Sequence, residues 1–217
     1  MTARRLPDGP EARAEAARVL RAGGIVALPT DTVYGIAVSL ETPDGIKRLF
    51  AAKQRPPDKA IALLVADASQ AGELGELNEA ANALAAAFWP GGLTLVLPRR
   101  PERALRALTG GGDDLATVGV RVPDHEAPRA LARAVGPLPT TSANRSGEPE
   151  ARDAEELEAQ LGPALDLILD GGPAHGGPAS TVVDTTAEPV RILRAGAIPA
   201  DDIDRCLASA HLPGVGR

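Results

Sequence analysis

Short apolar runs recur along this chain, and longer amphipathic segments separate them. The runs at 25–29, 61–66, 93–97 and 118–122 each have the length of one buried strand. The segments between them show the 3.6-residue spacing of apolar side chains that is typical of helices. Strands that alternate with helices predict an α/β fold, in which helices flank a twisted mixed sheet.

The remaining elements follow from turn and capping signals. Further strands are predicted at 165–169, 180–183 and 190–193, and the segment 139–147 is predicted to be a loop. Helices are predicted at 8–21, at 43–52 after a Thr42 cap, from Asn78 to near Trp89, at 126–135, from Asp153, and after Pro199. Residues 99–115 are predicted to be irregular. No linker separates two complete patterns, so residues 1–217 are predicted to form a single domain, of which about 10–200 carry its motifs.

Composition excludes several classes of protein. The formal net charge of −6 gives no sign of the basic face that a large nucleic-acid interface needs. The single cysteine, Cys206, rules out an intrachain disulfide and fits a reducing compartment. No apolar run approaches the roughly 18 residues of a membrane span, and the N-terminus lacks a secretory h-region. We therefore expect a cytoplasmic protein with no membrane partner.

Several common catalytic motifs are absent from the sequence. It contains no P-loop, no dinucleotide-binding glycine fingerprint after a strand, and no nucleophile elbow. His125, His175 and His211 have no partner at zinc-like spacing, so no metal ligands are predicted.

Four polar clusters follow the predicted strands. They are TDTVYG at 30–35, KQRPPDK at 53–59, TTSANRSG at 140–147, and ASTVVD at 179–184, with two arginines shortly after the last. Each cluster alone is equally typical of an ordinary turn or solvated loop. Together they supply hydroxyls, amides and cations, with no convincing nucleophile and base. This set suits a reaction in which the protein positions reactants and stabilises phosphate charge.

These clusters, together with WPGGLTLVL at 89–97, VGVRVPDH at 118–125 and RILRAGAIP at 191–199, resemble the YrdC/TsaC family of threonylcarbamoyl-AMP synthases. Seven matching segments fall in the order of the family and span about residues 10–200. The resemblance implies a YrdC-like twisted sheet around a large, concave, positively charged cavity. It also implies the short, single-domain form of the family.

The resemblance implies an activity and a set of partners. Family members make L-threonylcarbamoyl-adenylate and pyrophosphate from L-threonine, bicarbonate and ATP, with Mg²⁺ accompanying the nucleotide. The product supplies the tRNA threonylcarbamoyl-transfer machinery, which modifies the adenosine beside the anticodon.

The resemblance also implies roles for individual residues. Lys53 and Arg55 are the expected catalytic residues, through their contacts with the ATP phosphates. Threonine contacts are expected from Thr32, Arg121, Ser142 and Ser180, with Thr30 and Tyr34 shaping the pocket. ATP contacts are expected from Arg55, Lys59, Thr117, Asn144 and Arg194.

Two positions depart from the family pattern, and two alternative functions stay open. Leu64 stands where some members carry a histidine near the threonine, and Gly92 stands where a proline is common. One alternative is a carbamoyltransferase module of the kind found in larger enzymes. The other is a protein that binds double-stranded RNA in its cavity, against which the net charge and the scarcity of aromatic residues argue.

Overall fold

The computed structural model describes residues 3–54, 56, 60–100, 116–174 and 177–216. The strands of this part form one sheet in the order β1-β8-β2-β3-β7-β4-β6-β5-β9-β10. The strands are β1 (Arg4–Pro7), β2 (Val26–Leu28), β3 (Gly35–Ala37), β4 (Ala62–Leu64), β5 (Leu93–Pro98), β6 (Thr117–Arg121), β7 (Leu138–Ser142), β8 (Leu167–Asp170), β9 (Thr181–Asp184) and β10 (Arg191–Arg194).

Helices flank the sheet. They are α1 (Pro10–Arg21), α2 (Gly45–Lys53), α3 (Ala68–Leu74), α4 (Glu79–Phe88), α5 (Glu126–Val135), α6 (Ala154–Leu161) and α7 (Ala200–Ser209), and a single 3-10 turn follows α6. Within the described ranges, no helix has the length and apolar character needed to cross a membrane.

Strand pairing is mixed. The antiparallel pairs are β2/β3, β3/β7, β4/β7, β5/β6 and β9/β10. The pairs β1/β8, β2/β8, β4/β6 and β5/β9 are parallel. The predicted α/β fold with a mixed sheet is therefore confirmed.

Side chains that alternate along the strands separate the core into distinct clusters. In β2, Ala27 packs in a cluster with residues of α2 and α6, whereas Val26 and Leu28 pack with residues of α1 and α5. This period of two is expected for a strand that is buried on both faces. A third cluster lies between α4, α7 and the strands β4, β5, β6 and β9.

Most predicted elements are confirmed within a few residues. The capping predictions for Asn78 and Asp153 are also confirmed, because their side chains accept the amide hydrogens of Ala81 and Glu156. The predicted Thr42 cap is wrong: the N-cap of α2 is Asp44, in a left-handed conformation.

The strands and helix that the sequence did not reveal are short. β1, β3 and α3 were not predicted, and the predicted loop at 139–147 begins as strand β7. β3 and β7 pair with each other, with Gly35 opposite Ser142. A Cβ on Gly35 would lie 2.8 Å from the Thr140 Cγ2, so only glycine permits this close approach. The predicted irregular stretch at 99–115 lies almost wholly outside the described residues.

Candidate functional site

A cavity of about 390 Å³ opens over one face of the sheet. Alternate residues of the central strands line it: Ala62 and Leu64 of β4, Thr94 and Val96 of β5, Thr117, Gly119 and Arg121 of β6, and Thr140 and Ser142 of β7. The period of two places every second side chain of a strand on the same face. Because Ala62, Thr94 and Gly119 have small side chains, they leave space over this face of the sheet, and the cavity occupies that space.

The first corner of the cavity is built by the turn between β2 and β3. Thr30 Oγ1 donates to the carbonyl oxygen of Val33 at 2.6 Å, which commits the Thr30 hydroxyl hydrogen. In the 3.1 Å contact between the Thr30 and Thr32 hydroxyls, only Thr32 has a hydrogen to donate, and it shares Thr30 Oγ1 with the amides of Thr32 and Val33, which donate to that oxygen at 3.2 and 3.3 Å. Thr32 Oγ1 also accepts from Nη1 of Arg121 at 2.9 Å. The remaining lone pair of Thr32 is available as an acceptor.

Arg121 at the end of β6 is the cationic side of this corner. Its Nη2 donates to Oδ1 of Asp31 at 2.6 Å and its Nε donates to the Gly91 carbonyl oxygen. Burial lowers the pKa of the Arg121 guanidinium, while the carboxylate of Asp31 opposes that effect. A guanidinium keeps its charge near neutral pH even so. Arg121 lines the cavity as a fixed cation.

A second polar group lies where β5, β9 and β10 meet. The Ser180 and Thr94 hydroxyls are 2.8 Å apart. The guanidinium of Arg194 donates to the Ser180 carbonyl oxygen at 2.8 and 3.1 Å and to Ser180 Oγ at 3.0 Å. Burial lowers the pKa of Arg194, and the charge of Glu150 opposes that shift. Glu150 itself lines the cavity.

A third polar group fixes the end of β7. Lys53, at the end of α2, is only 4% exposed, and its Nζ donates to Ser142 Oγ at 2.7 Å and to Asn144 Oδ1 at 2.9 Å. It also contacts the Ser142 carbonyl oxygen at 2.8 Å and Thr141 Oγ1 at 3.2 Å. These atoms hold the loop after β7 against the sheet.

Tyr34 lines the cavity and connects two loops beside it. Its ring is 1% exposed, its hydroxyl donates to the Gly172 carbonyl oxygen at 2.6 Å, and it accepts from the Gly171 amide at 3.0 Å. Burial raises the pKa of the Tyr34 phenol. The phenol thus ties the turn after β2 to the loop after β8, and the ring contributes cavity wall.

The structure brings most of the predicted site residues together. Thr32, Thr117, Arg121, Ser142, Ser180 and Arg194 line the cavity. Lys53 and Asn144 are each hydrogen-bonded to Ser142: Lys53 Nζ donates to Ser142 Oγ, and Ser142 Oγ donates to Asn144 Oδ1. Arg55 and Lys59, the predicted phosphate contacts, lie outside the described residues.

Sequence reasoning missed four features of the site. It did not find Glu150, Leu193 or Thr94 on the cavity wall, or the pairing of Asp31 with Arg121. The alternation of Thr117, Gly119 and Arg121 was a usable signal, because small or polar residues at every second strand position indicate a face without core packing. Nothing local in the sequence marks Glu150.

The two departures from the family pattern have different surroundings. Leu64 is 4% exposed and gives the cavity an apolar surface where some members carry histidine. Gly92 packs against the segment that precedes α7, because a Cβ at Gly92 would lie 2.7 Å from the Cβ of Ala197. Glycine at this position therefore permits a close contact between two chain segments.

Comparisons with known proteins agree with this fold. The family model Sua5_yciO_yrdC, described as "Telomere recombination", matches residues 18–196. Threonylcarbamoyl-AMP synthase of Bacillus subtilis is 38% identical over 201 residues, which are 92% of this chain and 57% of that protein. The chain thus spans less than two thirds of the length of this relative.

Solved structures of other proteins match this fold over most of the chain. Pyrococcus abyssi Sua5 complexed with L-threonine has a TM-score of 0.86 and 35% identity, over 95% of this chain and 61% of that one. Escherichia coli YciO has a TM-score of 0.79 and 27% identity, over 93% of this chain and 98% of that one.

Proposed function

The chain belongs to the Sua5/YrdC family, and we propose that it is a threonylcarbamoyl-AMP synthase. The reaction joins L-threonine, bicarbonate and ATP to give L-threonylcarbamoyl-adenylate and pyrophosphate. The observation that carries this proposal is the division of the cavity: buried Arg121 with Thr32 at one place, and Arg194 with Ser180 at another.

Arg121 is suited to hold the threonine carboxylate. Its Nε, one Nη1 hydrogen and one Nη2 hydrogen are used by described residues, which leave two of its five N–H donors unused. One of these lies on each terminal nitrogen, which is the pattern that binds a carboxylate in bidentate fashion. Thr32, Ser142 and Ser180 supply hydroxyl oxygens for the amine and hydroxyl of the same substrate.

The other part of the cavity is suited to ATP. Arg194 and Thr117 supply polar contacts for the ribose and phosphates, and Leu193 supplies apolar surface for the adenine ring. Leu193 is 57% exposed, which makes it the one exposed large hydrophobic residue among the described positions. Arg55 and Lys59, which follow α2 in the sequence, would neutralise the phosphates.

The chemistry requires positioning more than proton transfer by the protein. The threonine amine combines with the carbon dioxide unit of bicarbonate to form a carbamate, and the hydroxide of bicarbonate leaves with a proton of the amine as water. A carbamate oxygen attacks the α-phosphorus of ATP, and pyrophosphate leaves with the bonding electrons. Fixed cations that meet the growing charge on the phosphates lower the barrier of this step.

Mg²⁺ fits the cavity as part of the nucleotide chelate. Among the described residues no group of three or more His, Cys, Asp or Glu side chains is placed to hold a metal ion. Glu150 lines the cavity, and one carboxylate with phosphate oxygens is a coordination that Mg²⁺ commonly uses. When bound, the ion would reduce the negative charge of the phosphates.

The product is an activated threonylcarbamoyl group, so its consumer is a transferase that acts on tRNA. We propose that the reaction takes place in the cytoplasm and that the tRNA threonylcarbamoyl-transfer machinery uses the product. If this protein bound RNA in its cavity and did not turn over nucleotide, the proposal would be wrong.

The test is release of pyrophosphate from ATP and Mg²⁺, with threonine and bicarbonate each omitted in turn. We expect release that needs both. Release that ignores threonine would instead favour the carbamoyltransferase alternative, and a salt-dependent gel shift without turnover would favour RNA binding. In the same assay Arg55→Ala should lower the rate about a hundredfold or more, and an unchanged rate would remove Arg55 from the phosphate contacts.

A further inference from the structure

The hydrogen bonds around Ser142 determine which way its hydroxyl points. Asn144 Nδ2 donates to the carbonyl oxygens of Glu148 at 2.6 Å and Arg145 at 3.1 Å, which fixes the orientation of the Asn144 amide. Its Oδ1 therefore faces Ser142 Oγ, 2.8 Å away, as an acceptor. The one hydrogen of the Ser142 hydroxyl is thus committed to Asn144.

Lys53 completes this arrangement from the other side. Its ammonium has only hydrogens to offer and donates to Ser142 Oγ at 2.7 Å, so it occupies one of the two lone pairs of that oxygen. Its hydrogen and one lone pair are thus engaged inside the protein, and the described residues leave the other lone pair of Ser142 without a donor. Since Ser142 lines the cavity, that lone pair is what it offers to a ligand.

We propose that Lys53 is a positioning residue that, with Asn144, makes Ser142 a hydrogen-bond acceptor toward the cavity. A ligand group at Ser142 must then be a donor, such as an amino group or a hydroxyl. Ser142 offers no donor to a carboxylate or phosphate oxygen. This role replaces the phosphate contact that the sequence predicted for Lys53, and its ligand half rests on the proposed function.

Thr32 independently shows the same polarity. Arg121 donates to one of its lone pairs, and in its contact with Thr30 only Thr32 has a hydrogen to donate, so among the described residues Thr32 keeps one lone pair as an acceptor toward the cavity. Each of the two hydroxyls has a cationic donor behind it and its hydrogen directed away from the ligand. The cavity therefore favours a ligand whose hydrogen-bond donors contact Thr32 and Ser142 and whose carboxylate accepts hydrogen bonds from Arg121.

The first measurement is calorimetric titration with L-threonine, without nucleotide, on five proteins: wild type, Lys53→Met, Ser142→Ala, the double variant Lys53→Met with Ser142→Ala, and Lys47→Met. Lys47 lies on the same helix and, within the part of the chain that the structure describes, forms an exposed ion pair with Asp44, so it is the matched control. We expect each single change at 53 or 142 to weaken threonine binding about tenfold, the double variant to be no weaker than either, and Lys47→Met to bind normally.

The second measurement needs no ligand. Amide hydrogen exchange of residues 138–148 should become faster in Lys53→Met, because the side chain that holds this segment is lost. Lys47→Met should leave it unchanged. If Lys53→Met is too unstable to study, Asn144→Ala removes the acceptor of the Ser142 hydrogen and should weaken threonine binding to a similar extent.

The outcomes separate the two proposals. Threonine binding that is unchanged in Lys53→Met, with weaker ATP binding and unchanged exchange, overturns the positioning role and restores the phosphate contact. Additive losses in the double variant also overturn it. Wild-type protein that does not bind threonine, with loop exchange that still responds to Lys53→Met, contradicts the proposed function and supports the positioning role.

Discussion

Arg121 and Asp31 form a largely buried ion pair, 2.6 Å between Nη2 and Oδ1, in which Arg121 is buried and Asp31 is partly exposed beside the cavity. The two side chains are 7% and 16% exposed. Asp31 belongs to the Thr-Asp-Thr run of the sequence, and its carboxylate explains why an apolar strand ends in such a polar turn. It offsets the charge of a guanidinium that would otherwise be buried alone beside the cavity.

This pair predicts a loss of stability in Asp31→Asn. Removing one charge of a buried pair costs about 3–5 kcal/mol. Asparagine keeps an oxygen that can accept from Arg121, so we expect the free energy of unfolding to fall by less, about 2–3 kcal/mol. Urea denaturation measures the change.

The exposed pair of Asp44 with Lys47 is the control for that measurement. Its two side chains are 65% and 69% exposed, so Asp44→Asn should cost at most about 1 kcal/mol. Asparagine also tolerates the left-handed backbone at this position. Equal losses in the two variants would show that the Arg121 pair is no more important than a surface contact.

Two arginines of β10 should differ in their effect on nucleotide binding. Arg194 lines the cavity and is held by Ser180, whereas Arg191 pairs with Asp184. We expect Arg194→Ala to weaken ATP binding about tenfold, in line with the loss of one charge-assisted contact. Arg191→Ala should bind ATP like the wild type. Calorimetric titration with ATP tests both, and equal weakening would argue for a general effect of positive charge.

The parts of the site that the sequence predicted share one property: they are hydroxyls or cations within a few residues of an apolar run. Arg121 and Ser142 are the last residues of their strands, and Thr32 and Ser180 lie just beyond strand ends, where binding residues are often found. The sequence could not show that Lys53 turns inward. A lysine at the end of a helix is typical of a solvated cation, and only the position of β7 in the sheet brings residues 141–144 against it.

Short elements limited the prediction of the fold for a related reason. β3 has three residues and includes Gly35, which has low strand propensity, so only its pairing with β2 and β7 makes it a strand. Glu150 was missed because its place in the cavity depends on the path of the chain after β7. Contacts between residues distant in sequence leave no local pattern.

Glu150 gives a prediction that depends on metal concentration. If its carboxylate contacts the Mg²⁺ of the nucleotide chelate, Glu150→Gln should weaken Mg²⁺–ATP binding several-fold, about 3- to 10-fold for one ligand. Titrations at several Mg²⁺ concentrations measure this effect. Glu148→Gln, an exposed neighbour on the same loop, is the control. Tighter binding of ATP in Glu150→Gln would mean that the carboxylate only repels the phosphates.

Asp184 predicts how stability depends on acid. Burial alone would raise the pKa of Asp184, but hydrogen bonds from Thr186 and Arg191 outweigh burial and lower it from the ordinary 3.8. A lowered folded-state pKa contributes stability that is present above the unfolded value. That stability is lost as the pH falls below 3.8 through the folded value.

The variant Asp184→Asn tests this pH dependence, because it lacks the titrating group. We expect it to be less stable than the wild type at neutral pH by about 1–2 kcal/mol, and we expect the difference to shrink steadily as the pH falls below about 4. Urea denaturation at a series of pH values measures both proteins, and Asp124→Asn corrects for the loss of one exposed surface carboxylate. A difference that stayed constant down to about pH 2.5 would show that the hydrogen bonds from Thr186 and Arg191 do not favour the charged form of Asp184.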